Sequence, residues 1–222
     1  MKRLRSSAFT LIEMLTVMVV IAVIASLVVA VAGFVNSTGA KKRSEGEIAA
    51  LSAACESYKA DVGSYPRHGA KDDKDFEGET NVTDGLDPRV DGDPGKGDYK
   101  RSSLFLYSEL SGDRNVNGKL DITGTDPEPN KGYMEFTPSL LKTDKATKAV
   151  KYIQDPFGNS YGYSTRNAKQ ELEFQALARK DKASADRRTI DAGYNPTFDL
   201  WSTGGTVGSP EKNQAKWIKN WQ

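Results

Sequence analysis

One short motif has the spacing of a hydrolase nucleophile. Gly158, Ser160 and Gly162 match the pattern Gly-x-Ser-x-Gly, in which the serine sits on a sharp turn between a strand and a helix and a histidine activates it. Here a turn-forming Asp155-Pro pair precedes the motif, a strand-like segment follows it, and His68 is the sole histidine of the chain. The sequence therefore predicts no catalytic residue and no enzyme.

A second group of residues has the oxygen atoms that a hard cation prefers. Asp113, Asn115, Asn117 and Asp121 place side-chain oxygens at alternate positions, an arrangement that directs several ligands of a tight loop to one calcium ion. The twelfth position of the loop, where an acidic residue is expected, is Gly124. Asn, Asp and Gly also form ordinary turns, so a calcium site and a plain loop both remain open.

A third candidate is a single carboxylate at the edge of a long apolar segment. Residues 14–35 contain no charged side chain, and Glu13 comes directly before them. As a helix this segment would span roughly 33 Å, which is a membrane-spanning length. The cations Lys2, Arg3 and Arg5 precede it, so we expect the N-terminus in the cytoplasm and the polar body on the far side of the membrane.

Composition excludes several other functions. The chain has 222 residues, with 31 Lys and Arg against 30 Asp and Glu for a net charge of +1, which argues against a nucleic-acid binder that works by phosphate neutralisation. Cys55 is the single cysteine and rules out an internal disulfide framework and a multi-thiolate zinc site. We expect Cys55 to be a small core residue without a function of its own.

The residues around Glu13 resemble a known processing site. A short basic leader is followed by Ala8, Phe9, Thr10, Leu11, Ile12 and Glu13, and this run is similar to the N-terminus of type IV prepilins and of type II secretion pseudopilins. The resemblance implies that a prepilin peptidase cuts between Ala8 and Phe9 and N-methylates Phe9, which makes Glu13 the fifth residue of the mature chain. One departure is Ala8, since the family usually has Gly there.

Two other interpretations of the N-terminus stay open. A secretory signal peptide would be cut after Ala32 and would release a secreted calcium-binding or carbohydrate-binding domain, although its apolar region is normally shorter, about 7–15 residues. A plain membrane anchor has the required length but gives no reason for Glu13, because an unpaired charge is unfavourable by up to about 3 kcal/mol on insertion scales.

Processing would change the charges near Glu13. Removal of the leader takes away three cations, so the side-chain net charge falls from +1 to −2, and a free amine appears on Phe9. In a helical polymer, Glu13 of an incoming chain can pair with the Phe9 amine of its neighbour. Such a pair is favourable mainly because two unpaired charges in a low-dielectric environment are so unfavourable. We therefore expect Glu13 to act in assembly.

These residues must be carried by a long helix and a small sheet. Apolar residues recur at helical spacing beyond the basic cluster at 41–43, and they predict one helix from about Phe9 to Val62, ended by the turn Gly63 to Pro66. Further spacing favours a short helix over residues 102–110 and a surface helix over residues 168–182. Strands are predicted at 149–153, 160–165 and 197–203, the first two joined by a turn at 155–159. The apolar stripe of the long helix comprises Ile48, Leu51, Cys55, Tyr58 and Val62.

Three more segments resemble the major pseudopilins. They are the turn Gly63-Ser64-Tyr65-Pro66, the stretch 155–163, and the stretch 198–204 together with the chain end Asn220-Trp221. In that family a calcium site follows the strand that begins here at Asp199. The downstream Asp residues of that site are absent and Glu211 is the acidic residue in their place, so the resemblance implies a lost or remodelled site.

The expected fold is α+β, with a long N-terminal helix, membrane-spanning in its first half, packed on a small antiparallel C-terminal sheet, and with a large loop-rich insertion. The segments are a basic leader at 1–8, a transmembrane or filament-core helix at 9–35, its amphipathic continuation at 36–66, the insertion with a short helix at 67–148, and a β region at 149–222. Residues 67–100 are rich in Gly, Asp, Lys and Pro and predict a surface loop.

The resemblance implies a structural subunit of a type II secretion pseudopilus, inserted in the bacterial inner membrane with its C-terminal domain in the periplasm. A type IV pilus subunit for adhesion, motility or DNA uptake is the alternative. The implied partners are other copies of the chain, minor pseudopilins, the prepilin peptidase, an inner-membrane assembly platform with a cytoplasmic ATPase, and an outer-membrane secretin. Nucleic acid is not expected as a main partner, and calcium is a candidate ligand.

Overall fold

The computed structural model describes residues 10–67, 82–113, 131–180 and 192–221 of the chain. The chain forms two compact units, Met1–Ala40 and Lys41–Gln222. The boundary falls within the first helix, α1, which runs from Leu11–Val62. The predicted end of this helix is confirmed: Gly63 has a φ of +87°, and its N–H donates to the Lys59 carbonyl oxygen at 2.8 Å. A glycine adopts this left-handed conformation without steric cost.

In the first unit, the described part of α1 is apolar and exposed. The side chains from Leu11 to Leu27 include Leu, Ile, Met and Val residues that are all more than half exposed. Within the residues that the structure describes, no helix offers an apolar stretch long enough to cross a membrane. The expected membrane-spanning first half of α1 is therefore not confirmed.

In the second unit, the C-terminal part of α1 supplies one side of the main hydrophobic core. Ile48, Leu51 and Cys55 are buried as their spacing predicts, and Tyr58 packs against the same core. Cys55 is a free, buried thiol, and burial raises its pKa far above the ordinary value, which fits the expected inert core residue. Val62 departs from the prediction, since it is 53% exposed.

The second helix, α2, spans Gly97–Ser111 and is longer at its N-terminus than the predicted 102–110. It ends at Gly112, whose φ of +77° closes the last turn by an N–H bond to the Ser108 carbonyl oxygen. The surface loop predicted over residues 67–100 is partly core instead: Val82 and Leu86 are buried before α2, and Tyr99 is buried in its first turn. Composition alone misses such segments, because a few well-placed apolar side chains suffice to anchor a polar loop.

The strands form two small antiparallel sheets. The first sheet pairs β1 (Leu141–Thr143) with β2 (Val150–Ile153), and the second has the order β3 (Gly162–Ser164), β4 (Asp199–Ser202) and β5 (Ile218–Lys219). The predicted turn at 155–159 is present, closed by the Asp155 N–H to the Asn159 carbonyl oxygen at 2.8 Å. Beyond one bridge between Gln154 and Ser160, however, the two strands diverge into different sheets rather than forming one hairpin.

Two further helices belong to the second unit. Helix α3, Arg166–Lys180, lies between β3 and β4 in the chain and confirms the predicted surface helix. A short helix α4, Pro210–Asn213, precedes β5. The three tryptophans close the C-terminal end of the core as expected: Trp201, Trp217 and Trp221 are buried in one cluster with Leu86 and Tyr99.

Candidate functional site

The first described residues of the chain form a capping box at the start of α1. The Glu13 carboxylate Oε2 accepts hydrogen bonds from the backbone N–H of Thr10 at 2.8 Å and from the Thr10 hydroxyl at 2.7 Å. In return, the Glu13 backbone N–H lies 3.3 Å from the Thr10 hydroxyl oxygen. The two residues thus satisfy backbone donors that a helix start leaves without intrahelical partners.

This capping role is a second use of Glu13 that the sequence interpretation missed. The spacing Thr-x-x-Glu directly before an apolar run is the signature of a capping box, and it was available in the sequence. The carboxylate also lies where the positive end of the helix dipole favours a negative charge. Glu13 is therefore held at the helix start by its own chain, four residues after the expected new N-terminus in the sequence.

Apart from Thr10 and Thr16, the side chains around Glu13 are apolar. Leu11 is 83% exposed and Ile12 is 63% exposed, and the apolar side chains continue along the described part of the helix. An exposed apolar surface of this extent is not stable in water and marks a site that another molecule covers. Phe9 and Ala8, the expected cleavage residues, lie outside the described residues.

Two long-range hydrogen bonds fix α1 within the second unit. The Tyr161 hydroxyl donates to Glu47 Oε2 at 2.6 Å, and Arg43 Nε donates to Glu47 Oε1 at 2.7 Å. Nearer the C-terminus of α1, the Tyr58 hydroxyl donates to Glu109 Oε2 of α2 at 2.5 Å. Hydrogen bonds to a charged acceptor are stronger than neutral ones, so Glu47 and Glu109 tie the helix to the rest of its unit.

The first of the expected calcium ligands is buried and engaged. Asp113 follows the glycine that ends α2 and is 2% exposed. Its Oδ2 accepts a hydrogen bond from the Tyr107 hydroxyl at 2.8 Å, and burial together with this carboxylate raises the pKa of Tyr107 above its ordinary value. Asn115, Asn117 and Asp121 lie outside the described residues, so the proposed ligand set stays a prediction.

Asp199, the first residue of the other calcium candidate, is also engaged by its own chain. Its Oδ2 accepts the Tyr194 backbone N–H and its Oδ1 accepts the Asn195 backbone N–H, each at 2.8 Å. Burial raises the pKa of Asp199 to about 6, although these backbone donors favour the charged form. Both oxygens thus hold the loop before β4.

The remaining candidate ligand, Glu211, lies in the first turn of α4 and is exposed. Across residues 10–67, 82–113, 131–180 and 192–221, no three His, Cys, Asp or Glu side chains are grouped as ligands for a metal ion. Asp199, whose oxygens accept backbone N–H groups, and the exposed Glu211 do not by themselves make a calcium site, because calcium takes six to eight oxygen ligands.

The Gly-x-Ser-x-Gly motif occupies a buried structural position. Ser160 is 1% exposed, and its hydroxyl lies 3.3 Å from the Tyr99 carbonyl oxygen and 3.1 Å from that of Tyr161. It precedes strand β3 rather than a helix. Gly162 serves packing, because a Cβ there would come within 2.3 Å of the Trp201 ring.

Comparison with known proteins gives one match. Residues 3–29 match the family model of the prokaryotic N-terminal methylation motif, a range that includes most of the basic leader, the expected cleavage site, Glu13 and residues 14–29 of the apolar segment. Comparisons with curated proteins and with solved structures give no match. The chain therefore carries the prokaryotic N-terminal methylation motif, the hallmark of the type IV pilin and pseudopilin processing site.

Proposed function

We propose that this pilin-like chain is a structural pseudopilin of a type II protein secretion system. The observation that carries the proposal is the methylation motif at residues 3–29. It is followed by a helix whose apolar side chains are exposed in the isolated chain. The helix end at Gly63 and the strand Asp199–Ser202 support the pseudopilin interpretation in particular, since both lie in segments whose sequence resembles the major pseudopilins.

In this proposal the apolar part of α1 resides in the bacterial inner membrane, and the second unit is periplasmic. A prepilin peptidase cuts between Ala8 and Phe9 and methylates Phe9. Mature subunits then leave the bilayer and enter a periplasmic filament, in which Glu13 of one copy meets the Phe9 amine of the next. Assembly is favoured because two poorly solvated charges become paired and because neighbouring helices bury the apolar surface.

The other partners follow from the same proposal. The chain performs no catalysis of its own, and a cytoplasmic ATPase supplies the work of assembly through an inner-membrane platform. Minor pseudopilins extend the filament and an outer-membrane secretin receives it. Calcium is proposed as a ligand of the loop that begins at Asp113. Titration of the purified chain with calcium tests this, and an unchanged stability together with unchanged proton NMR spectra would refute it.

A deletion of the gene, complemented by the wild-type chain, tests the proposed function against its alternative. Loss of protein export with surface pili unchanged supports a pseudopilin. Loss of surface pili, adhesion, motility or DNA uptake with export unchanged favours a type IV pilus subunit instead. A matched strain that carries the chain without its leader and apolar helix controls for effects of the second unit alone.

A further inference from the structure

The hairpin formed by β1, β2 and the turn between them is strongly basic. Residues 142–151 contain one acid, Asp144, and a lysine at every third position. The segment therefore has a net charge of +3, although the whole chain has a net charge of +1. We call this segment the lysine hairpin. Its four lysines are all exposed: Lys142, Lys145, Lys148 and Lys151.

The one acid of the lysine hairpin is engaged within the hairpin itself. Asp144 Oδ1 accepts the backbone N–H groups of Ala146 and Thr147, at 2.8 and 3.1 Å, and Asp144 Oδ2 lies 2.8 Å from Lys151 Nζ. Among the residues that the structure describes, the other three lysines of the hairpin have no carboxylate within ion-pair distance. These three cations can therefore meet an anion from outside the chain.

The charges next to the lysine hairpin do not cancel its own. Helix α2 packs on β2, and Lys100 Nζ of this helix lies 6.0 Å from the centre of the Tyr152 ring. Arg101 and Asp98 of the same helix pair with each other at 2.7 Å. Before β1, the nearest acid in the chain is the exposed Glu135. With one further cation and one further carboxylate counted, the net charge of the region stays at +3.

Two irregularities of the backbone fall on lysines of the hairpin. Lys148 has a φ of +64° and, of the residues described, is the one non-glycine residue with a positive φ. A side chain makes this left-handed conformation unfavourable. In the sheet, Val150 and Tyr152 lie opposite consecutive residues of β1, so Lys151 is the extra residue of a bulge. Bulges redirect side chains, and both kinds of irregularity are frequent at functional sites.

The base of the lysine hairpin lies near the part of α1 with which the second unit begins. The Tyr161 N–H donates to the carbonyl oxygen of Ile153, the last residue of β2, at 3.1 Å. The Tyr161 hydroxyl donates to Glu47 Oε2 at 2.6 Å, and Glu47 is six residues after the first residue of the unit, Lys41. The end of β2 is thus one tyrosine side chain away from the turns of α1 that continue, in the chain, toward the apolar segment.

We propose that the lysine hairpin binds the anionic phospholipid headgroups of the bilayer in which α1 is anchored. The proposal rests on the proposed function, which places the apolar part of α1 in the inner membrane and so tethers the second unit to the bilayer surface. A tether gives the membrane a high effective concentration at the hairpin. Anionic lipids attract basic segments beside a membrane anchor, and their phosphate oxygens accept hydrogen bonds from ammonium groups. The contact holds the second unit at the membrane until the subunit enters a filament.

The test measures how close the turn of the lysine hairpin lies to lipid headgroups in the full chain. Ala146 is exposed in this turn, and Ala146→Cys takes a fluorophore, whereas Cys55 is buried and takes none. The labelled chain is reconstituted in vesicles with a quencher on the headgroups, with or without phosphatidylglycerol. We expect quenching to be about threefold stronger in the anionic vesicles than in the neutral ones. The difference should disappear as the salt concentration rises to about 0.5 M.

Two matched variants separate the hairpin from the charge of the whole chain. Substitution of the four hairpin lysines by glutamine should abolish the difference between the vesicles, and arginine at the same positions should keep it, because the charge remains. The control variant removes the same number of charges from exposed lysines elsewhere in the second unit and should keep the difference. Equal losses in the glutamine and control variants would overturn the inference. The control positions are Lys96, Lys180, Lys212 and Lys216.

Retention of the chain in the vesicles after alkaline extraction is measured in the same samples. A retained chain whose quenching does not depend on phosphatidylglycerol would overturn the headgroup contact and leave the proposed function intact. A chain that is extracted from the vesicles would overturn both. A short DNA duplex is tested at the same phosphate concentration as the anionic lipid. Binding of the duplex through the hairpin lysines, without quenching by the headgroups, would overturn the inference in favour of a nucleic-acid surface.

Discussion

At the scale of single residues, Glu13 has two uses that must be separated. Its carboxylate caps α1 through Thr10, which is a local structural role, and in the proposed filament it pairs with the Phe9 amine of a neighbour. The first use needs hydrogen-bond acceptors but no charge, since Gln also serves in a capping box. The second use needs the negative charge. Three substitutions distinguish them.

Glu13→Gln keeps a side chain that can cap the helix but removes its charge. Breaking a poorly solvated ion pair from one side costs about 3–5 kcal/mol, so we expect incorporation into filaments to fall to about a tenth of wild type or less, as for Glu13→Leu. Thr10→Ala removes the cap and keeps the charge, at a cost of about 1 kcal/mol to the helix start, and should still assemble. The measurement is the fraction of processed chain recovered in filaments. Normal assembly of Glu13→Gln would refute the pairing.

Asp199 gives a prediction about pH at the same scale. Its pKa of about 6 in the folded chain lies above the ordinary 3.8, so the folded chain retains a proton that the unfolded chain releases. The stability that this proton provides is therefore fully present below about pH 4 and is lost as the pH rises through about 6.

Asp199→Asn, which cannot titrate, isolates this effect from that of Asp155, another buried acid whose pKa burial raises. The substitution should destabilise the chain more at pH 4 than at pH 7, with a difference of up to about 3 kcal/mol. Thermal unfolding of the full chain in detergent at constant ionic strength measures it. A destabilisation that grows with rising pH would show that the charged carboxylate, and not the neutral one, stabilises the loop.

At the scale of elements, helix α2 holds the first sheet through one serine. The Ser103 hydroxyl oxygen accepts the Ile153 backbone N–H at 2.9 Å and lies 3.3 Å from the Ile153 carbonyl oxygen. Ser103 thus satisfies the backbone at the end of β2, where a third strand would otherwise be needed. A buried backbone donor that loses its partner is costly.

Ser103→Ala should lower the free energy of unfolding by about 1–3 kcal/mol, because it leaves the Ile153 N–H without its acceptor. Ser102→Ala is a matched control, since Ser102 is equally buried but bonds only within its own helix, to the Tyr99 carbonyl oxygen at 3.1 Å. Denaturant unfolding of both variants measures the difference. Equal effects would mean that the Ser103 contact does not hold the sheet.

The elements also show what the sequence could predict. Helical spacing and a Gly-x-Tyr-Pro turn placed the long helix and its end, and glycine with a following strand pattern placed the turn at 155–159. The division of the strands into two sheets could not be predicted, because pairing depends on contacts between distant segments, such as that of Tyr163 with Leu200. For the same reason the buried positions of Leu86 and Tyr99 were missed. At the candidate site, the Thr10–Glu13 box was predictable from spacing, whereas the engagement of Asp199 by backbone amides was not.

At the scale of the whole molecule, the methylation motif and the two-unit organisation support one account. One unit contains an exposed apolar helix, and the other contains the hydrophobic core and the two sheets. Cleavage of the leader would convert a precursor of net charge +1 into a mature chain of −2 and create the amine that Glu13 is placed to meet. The account therefore depends first on where the mature chain begins.

Mass spectrometry of the intact mature chain, purified from membranes of its host, tests this most directly. The account predicts an N-terminus at Phe9 with one added methyl group, and it predicts that the product is absent from cells without prepilin peptidase. A mature chain that begins at Gly33, after a cut by signal peptidase, would contradict it.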